Sequence, residues 1–288
     1  MASGWRCKYI FLPLPIRAII LKYTVTKIQL EYGNTLTNFL DIKKATRRHY
    51  EKLYAEANDE ENKATTSMLE NIPSLIPQAD NDYLTKQIEE QEVLDAIWGL
   101  ALNKAPGQDG FPICFFKACW HTIKVNLLRI LCYSLRKQKL GENTNTSSIA
   151  LIPKEANPFS FSHFQPISLC NASYKIFTKI MATNLKNLMP KIISENQRGL
   201  KSIRQILDNI VLVQEAIHSS SKANKEKGMT IKMDMANAFD WVRHSFLFKV
   251  LRMFGFNESF VMMIQSCIST SWFSPLVNGR PTGFFKLT

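Results

Sequence analysis

Cysteine and histidine are both scarce in this sequence, and neither occurs in a pattern that binds a metal. The chain has six cysteines and five histidines among 288 residues. No two cysteines form a C-x-x-C pair, and no cysteine stands beside a histidine at zinc-ligand spacing. This excludes the common zinc-binding modules, and we expect the cysteines to be reduced residues of the core or its boundary in an intracellular protein.

Long apolar stretches are also missing. The most apolar part of the N-terminus, residues 9–21, is interrupted by Pro13, Pro15 and Arg17 and is too short to span a bilayer. It lacks the small-residue cleavage site that ends a secretory signal. We therefore expect no membrane partner, while a hydrophobic fraction of 45% predicts a folded chain with a sizeable core.

Acidic residues are the third deficit. The sequence has 24 Asp and Glu against 36 Lys and Arg, which gives a net charge of +12. An excess of this size favours a polyanionic partner, because neutralised phosphates release their counterions on binding. The charge is also compatible with a basic surface that binds nothing, so composition alone leaves both interpretations open.

Hydrophobic periodicity predicts a mixed α and β chain. Apolar residues at helical spacing predict helices over the ranges 35–54, 87–102, 115–135, 171–189 and 203–217. Residues 149–153 form a short aliphatic run that ends in proline, which is typical of an edge strand. Residues 229–235 alternate with period two, so they predict a half-buried strand that places Asp234 on its polar face.

Four distinctive segments follow one another along the chain. They are Asn103-Lys-Ala-Pro-Gly-Gln-Asp-Gly110, Ile149-Ala-Leu-Ile-Pro-Lys154, Phe164-Gln-Pro-Ile-Ser-Leu-Cys-Asn171 with the helix after it, and Ile231-Lys-Met-Asp-Met-Ala-Asn-Ala-Phe-Asp240. In this order they resemble the reverse transcriptase of LINE-type (non-LTR) retrotransposons, of the kind common in plant genomes. The resemblance covers residues 85–288.

The resemblance implies the right-hand polymerase fold, an α+β architecture, with fingers and a partial palm only. Residues 1–84 are then a helix-rich N-terminal extension and linker. Residues 85–228 correspond to the fingers and the start of the palm, and residues 229–288 to a partial palm with the first catalytic strand. The implied function is RNA-directed DNA polymerisation by two-metal nucleotidyl transfer, with an RNA template, a DNA primer and dNTP as partners.

The resemblance places the catalytic metal site at Asp234. This residue matches the first metal-binding aspartate of the family, and the Met235 backbone carbonyl is expected to assist in binding Mg²⁺, which prefers hard oxygen ligands. Phe239 matches the aromatic residue beneath the sugar of the incoming nucleotide, and Asp240 is expected to make structural hydrogen bonds. The residues alone leave open an ordinary strand aspartate at 234 and a core phenylalanine at 239.

Other matched positions are expected to surround the nucleotide. Lys154 and Gln165 are expected to contact phosphates, with a solvated side chain as the alternative for Lys154. The family usually has Arg where this chain has Gln165, so a neutral amide replaces a charged, bidentate phosphate ligand. The loop of the first segment is expected to be shaped by its turn-forming residues, which are Pro106, Gly107, Asp109 and Gly110.

The sequence contains no aromatic-Ala-Asp-Asp segment, which the family places after the last segment seen here. We therefore expect the chain by itself to be inactive and the complete enzyme to extend beyond Thr288. Three interpretations stay open: a fragment of an active polymerase, an inactive relic that at most binds nucleic acid, and a domesticated scaffold. Because the family acts on chromosomal DNA, the expected compartment is intracellular and nuclear.

Overall fold

The computed structural model describes residues 24–30, 33–55, 63–102, 104–141, 143–155, 157–194, 197, 206–222, 231, 233 and 242–286. The first described elements are an antiparallel hairpin of β1 (Ile28–Gln29) and β2 (Thr35–Leu36), followed by helix α1 (Phe39–Leu53). Helix α1 starts where the Asn38 side chain accepts a hydrogen bond from the Leu40 backbone amide at 2.8 Å. The helix predicted over 35–54 therefore begins later, because its first residues pair in β2.

Helices fill the chain between α1 and the main sheet. They are α2 (Lys63–Glu70), α3 (Gln78–Thr85), α4 (Glu90–Trp98), α5 (Ile113–Ala118) and α6 (Trp120–Lys137). Helix α4 has a reciprocal cap in which the side chains of Glu89 and Glu92 each accept from a backbone amide, and it ends at Gly99. The predicted helix over 87–102 is thus shortened at both ends, and the one predicted over 115–135 is divided at Cys119.

Within the described residues, the main sheet contains five strands. They are β3 (Thr146–Pro153), β4 (Phe164–Cys170), β5 (Trp272–Val277), β6 (Arg280–Pro281) and β7 (Phe285–Lys286). Strand β3 pairs antiparallel with β4 on one side and parallel with β5 on the other, while β6 and β7 pair with the far edge of β5. The prediction of an edge strand is wrong, because β3 is central and Pro153 lies at its end, where the ladder stops.

The described chain between β4 and β5 is mostly helical. Its helices are α7 (Ala172–Lys186), α8 (Met189–Ile192), α9 (Ile206–Lys222), α10 (His244–Met253) and α11 (Glu258–Ser269). Helix α7 confirms the helix predicted over 171–189, and α9 confirms the helix predicted over 203–217 in its main part. None of the helices that the structure describes is long and apolar enough to cross a bilayer.

Strand pairing gives the sheet two different faces. On one face, the fully buried Ile149 packs with Tyr50 of α1 and with Phe285 of β7. Val277 and Phe164 lie in a neighbouring cluster with Ile42 of α1. We call this side the covered face, because α1 shields it from solvent.

The opposite side of β3 and β4 is the open face. Directly paired residues point to the same side of a sheet, so the register shows which side chains lie on the open face. They are Ser148, Ala150, Ile152, Gln165 and Ile167. Ile152 is 45% exposed and Ile167 is 43% exposed. The β3–β4 end of this face is therefore accessible, and it carries one of the residues expected to contact phosphate.

A larger apolar core lies among the helices. It contains Val93 and Ile97 of α4, Ile176 and Phe177 of α7, and Phe260 of α11, all of them buried. These residues sit on one face of each helix, at the spacing of successive turns. Burial of these faces, rather than helix propensity, holds the helices in place.

The segment before residue 85 shares this helical core. Ile76 and Leu84 are buried in it, and the Asn81 amide donates to the Gly255 carbonyl at 2.8 Å and accepts from the Asn257 backbone amide at 2.7 Å. Helices and a sheet around shared cores confirm the predicted α+β class. The division of the chain at residues 84 and 228 stays a prediction.

The catalytic strand predicted over 229–235 lies almost entirely outside the described residues. Ile231 and Met233 are described; they are 67% and 86% exposed and belong to no strand, so the predicted burial is wrong at these two positions. The described part of α9 is also exposed, including Leu207 and Leu212 at 63% each. Ile231, Met233 and these residues of α9 therefore belong to none of the buried clusters of the described chain.

We predict opposite stability effects for two isoleucines of β3. Ile149→Ala empties a fully buried site between the sheet and α1, so the free energy of unfolding should fall by about 2–5 kcal/mol. Ile152→Ala on the open face should lower it by less than about 1 kcal/mol. Denaturant unfolding of both variants measures the difference; equal losses would contradict the assignment of the two faces.

Candidate nucleic-acid interface

The loop that joins α4 to α5 is built from a tight turn. The Gly110 amide donates to the Gly107 carbonyl at 3.2 Å, and the Phe111 amide donates to the Asp109 carboxylate at 3.2 Å. Gly110 has a φ of +73°, a left-handed conformation that favours glycine. Pro106 is exposed and precedes the turn. The local geometry accounts for the turn-forming residues predicted at these positions.

This loop packs directly on the junction between β4 and α7. A Cβ atom on Gly107 would lie 2.5 Å from both the Asn171 backbone nitrogen and the Cys170 carbonyl carbon. Since these neighbours are backbone atoms, they cannot move aside as a flexible side chain does. Position 107 therefore needs glycine because two stretches of main chain approach each other there.

Asn171 connects the loop to the sheet. Its side-chain oxygen accepts from the Asp109 amide at 3.2 Å, and its amide donates to the Asn143 carbonyl at 2.8 Å. Lys175, one helical turn further on, donates to the Ala105 carbonyl at 2.9 Å. The sequence indicated no role for Asn171. Its position directly before α7 was the available signal, because a short Asn side chain there often forms hydrogen bonds with backbone groups.

The loop also touches the open face. The Gln108 side-chain amide donates to Ser148 Oγ at 3.3 Å. Gln165 projects from the same face, beside Ile152 on the neighbouring strand. Ile152 lies four positions after Ser148 on β3, so the loop contact and Gln165 lie roughly 13 Å apart along one surface. The first and third sequence segments thus contribute to a single surface.

Lys154 and Gln165 both lie on the β3–β4 hairpin. The Lys154 amide donates to the His163 carbonyl at 2.9 Å, and its ammonium donates to the Ser162 carbonyl at 3.1 Å. The neighbouring Glu155 carboxylate contacts His163 Nδ1, so the acidic residue next to Lys154 has a partner of its own. Both Lys154 and Gln165 are exposed. The hairpin therefore presents one positive charge and one neutral amide to solvent.

The five cysteines that the structure describes are free, as predicted. Cys114 is exposed, so the expectation of a core or boundary position is wrong for this residue. Burial raises the pKa of the Cys267 thiol to about 12 and also raises the pKa of Tyr174 above its ordinary value. The Tyr174 hydroxyl donates to the Cys267 carbonyl at 3.1 Å. Both groups stay protonated at neutral pH and act in packing.

The predicted metal site lies in a different part of the chain. Asp234, Met235, Phe239 and Asp240 are outside the described residues. In the part of the chain that the structure describes, no group of three or more His, Cys, Asp or Glu side chains converges. The described residues therefore bring together no set of ligands that fits a Mg²⁺ ion.

Comparison with known proteins finds a family that matches part of the chain. The profile of the reverse transcriptase (RNA-dependent DNA polymerase) family matches residues 152–287, which include the β3–β4 hairpin from Ile152, Gln165 and the segment of Asp234. The hairpin and the helices after it thus carry the family's sequence pattern.

Several transposon proteins are similar to the chain over much of its length. The uncharacterized 149 kDa protein of transposon TX1 from Xenopus laevis is 25% identical over 89% of this chain and 20% of its own length. A probable RNA-directed DNA polymerase from transposon BS of Drosophila melanogaster is 25% identical over 88% of this chain and 27% of its own. The Pol polyprotein of the type-1 retrotransposable element R2 from Popillia japonica is 27% identical over 65% and 25% respectively.

The chain therefore spans between 20% and 27% of the length of these relatives. The family profile and the similarity to several transposon proteins agree with the resemblance found in the sequence. They support a LINE-type reverse transcriptase, because the chain is similar to reverse transcriptases and to proteins of non-LTR retrotransposons.

Proposed function

We propose that this chain is part of a retrotransposon's RNA-directed DNA polymerase and that its open face binds the template and the incoming dNTP. In this assignment residues 85–228 form the fingers and the start of the palm, and residues 229–288 form a partial palm. The enzyme's RNA template and DNA primer would meet at the surface made by the β3–β4 hairpin and the loop before α5. Its expected compartment is the nucleus.

The observation that carries this proposal is the contact between two separate sequence segments. Asn171 and Gly107 join the loop to the β4–α7 junction, and Gln108 fixes the loop on the open face. A surface lined by exposed backbone turns and uncharged side chains suits the sugars and base edges of a nucleic acid. Lys154 adds a positive charge at its end, and no carboxylate of the described residues pairs with it.

The catalytic part of the proposal concerns residues that the structure does not describe. Reverse transcriptases in general use divalent metal ions, and we propose Mg²⁺ with the Asp234 carboxylate and the Met235 backbone carbonyl as ligands. Both groups are hard oxygen donors. We place Phe239 beneath the sugar of the nucleotide and Asp240 in structural hydrogen bonds.

A second candidate function is nucleic-acid binding without polymerisation. Gln165 favours it, because a neutral amide binds phosphate more weakly than the Arg that the family usually has there. Both candidates require binding to a primer–template, whereas only the first requires incorporation of dNTP. Primer–template binding and dNTP incorporation, measured on the same protein, separate these requirements.

We predict that incorporation depends on Asp234. In the longest in-frame product that contains residues 1–288, Asp234→Asn should reduce incorporation of labelled dNTP by about 100-fold or more, because it removes a ligand charge from the metal. The matched variant Asp240→Asn should retain most of the activity. Binding without any incorporation in the unmodified protein would favour the second candidate, and full activity of Asp234→Asn would reject the proposed ligand.

We predict that an added charge on the open face strengthens primer–template binding. Gln165→Arg should lower the Kd by about threefold or more and make the dependence of log K on log[salt] steeper by about 0.9. Ser168→Arg adds the same charge to the same strand on the opposite face, where Ser168 is also exposed, and should have little effect. Fluorescence anisotropy at several salt concentrations measures both; identical curves would contradict binding at the open face.

We predict that Gly107→Ala disturbs the loop and the surface together. The new methyl group would meet backbone at 2.5 Å, so the free energy of unfolding should fall by about 1–3 kcal/mol and primer–template binding should weaken. Gly141→Ala is the matched control, since its nearest neighbour is the Thr144 side chain at 3.3 Å. Unchanged binding by a folded Gly107→Ala variant would show that the loop takes no part.

A further inference from the structure

Helix α6 carries a cationic and aromatic outer face that the proposed function does not use. Arg129, Arg136 and Lys137 are exposed there, and Tyr133 between them is 57% exposed. The inner face of the same helix, including Leu127 and Leu131, is buried in the helical core. The outer face therefore remains available while the helix stays fixed.

The spacing of these residues places them side by side. Arg129, Tyr133 and Lys137 recur every four residues, so each lies one turn above the previous one on the helix surface. The three span about 12 Å along the helix axis. Arg136 lies on the adjacent flank, seven residues after Arg129 and so on the same side of the helix. Tyr133 thus has three cationic residues as its neighbours on the helix surface.

The positive charge of this face is uncompensated within the described chain. The 18 residues of α6 include no Asp or Glu. Lys124, on the inner edge of the helix, pairs with Glu90 at 2.9 Å. Arg129, Arg136 and Lys137 have no carboxylate within ion-pair distance among the residues that the structure describes. A polyanion is the partner whose charge complements this face.

A recess adjoins the charged face. It has a volume of about 260 Å³ and lies between α6, the end of α3 and the start of α11. Leu84, Leu135 and Phe260 supply its apolar part, and Arg136 with Gln87 supplies polar groups at its edge. Apolar walls with hydrogen-bonding groups at the rim suit a flat heteroaromatic ring next to a phosphate.

We propose that the outer face of α6 and this recess bind single-stranded nucleic acid. Cations that track a phosphate backbone beside an exposed aromatic ring are the combination that binds unpaired strands, because every base can stack on the ring. A duplex keeps its bases stacked internally and would use only the charges, and an acidic protein would not need the ring. The site shares no residue with the open face and does not depend on polymerase activity.

The test measures binding of an end-labelled, unstructured single-stranded RNA to the full chain. The triple variant Arg129→Gln, Arg136→Gln, Lys137→Gln should weaken binding by about tenfold or more and reduce the salt slope by about 2, which is three phosphate contacts for a single strand. The matched triple variant Lys44→Gln, Arg48→Gln, Lys52→Gln removes the same charge from exposed positions of α1 and should change binding little. If both triple variants lose the same affinity for RNA, the effect is one of net charge alone and the proposal is overturned.

The aromatic contribution is tested separately. Tyr133→Ala should weaken RNA binding by roughly fivefold or more. Tyr133→Phe should bind RNA as tightly as the unmodified protein, because only the ring is needed for stacking. Photoactivatable uridine in the RNA should crosslink to peptides of α6 in the unmodified protein. This experiment does not depend on the folding of any variant. Unchanged binding by Tyr133→Ala, equal affinity for an acidic polypeptide, or crosslinks confined to other elements would each overturn the proposal.

Discussion

Hydrogen bonding on both edges of β3 is the constraint on which the described structure depends. Pairing with β4 and β5 fixes the register, and the register decides which side chains face α1 and which face solvent. A shift by one residue would move Ile149 to the open face and Ile152 beneath α1. The covered core and the exposed Gln165 are therefore two results of one pairing pattern, and neither can change without the other.

The open face acquires a boundary because a loop distant in sequence is held against it. Gly107 permits main chain to approach main chain, and Asn171 supplies hydrogen bonds that a flexible loop would otherwise leave to water. The consequence is a preformed surface, so the proposed binding of a nucleic-acid strand would cost this surface little conformational entropy. Such a surface orients a ligand even where it provides little charge.

The sequence predicted the helices and the class of the fold better than the arrangement of the sheet. Periodicity located α4 and α7 because each buries one continuous face. The central position of β3 was missed because Thr146, Ser147 and Ser148 are polar, yet all three are buried. Ser147 and Ser148 pair with both neighbouring strands, and Thr146 pairs with β5. Asn171 was missed for a related reason: its partners lie 28 and 62 residues away, and no local pattern records a contact over that distance.

If both surfaces bind as proposed, the distribution of charge would give them different roles. The open face presents the neutral amide of Gln165, so shape and hydrogen bonding would dominate there. The outer face of α6 has no acidic residue, and its three cations have no carboxylate partner among the described residues, so long-range attraction would act at that helix. Electrostatic attraction acts at a distance, whereas shape complementarity acts only on contact. A nucleic-acid strand would therefore bind first at α6 and be positioned afterwards on the open face. The net charge of +12 is consistent with this order.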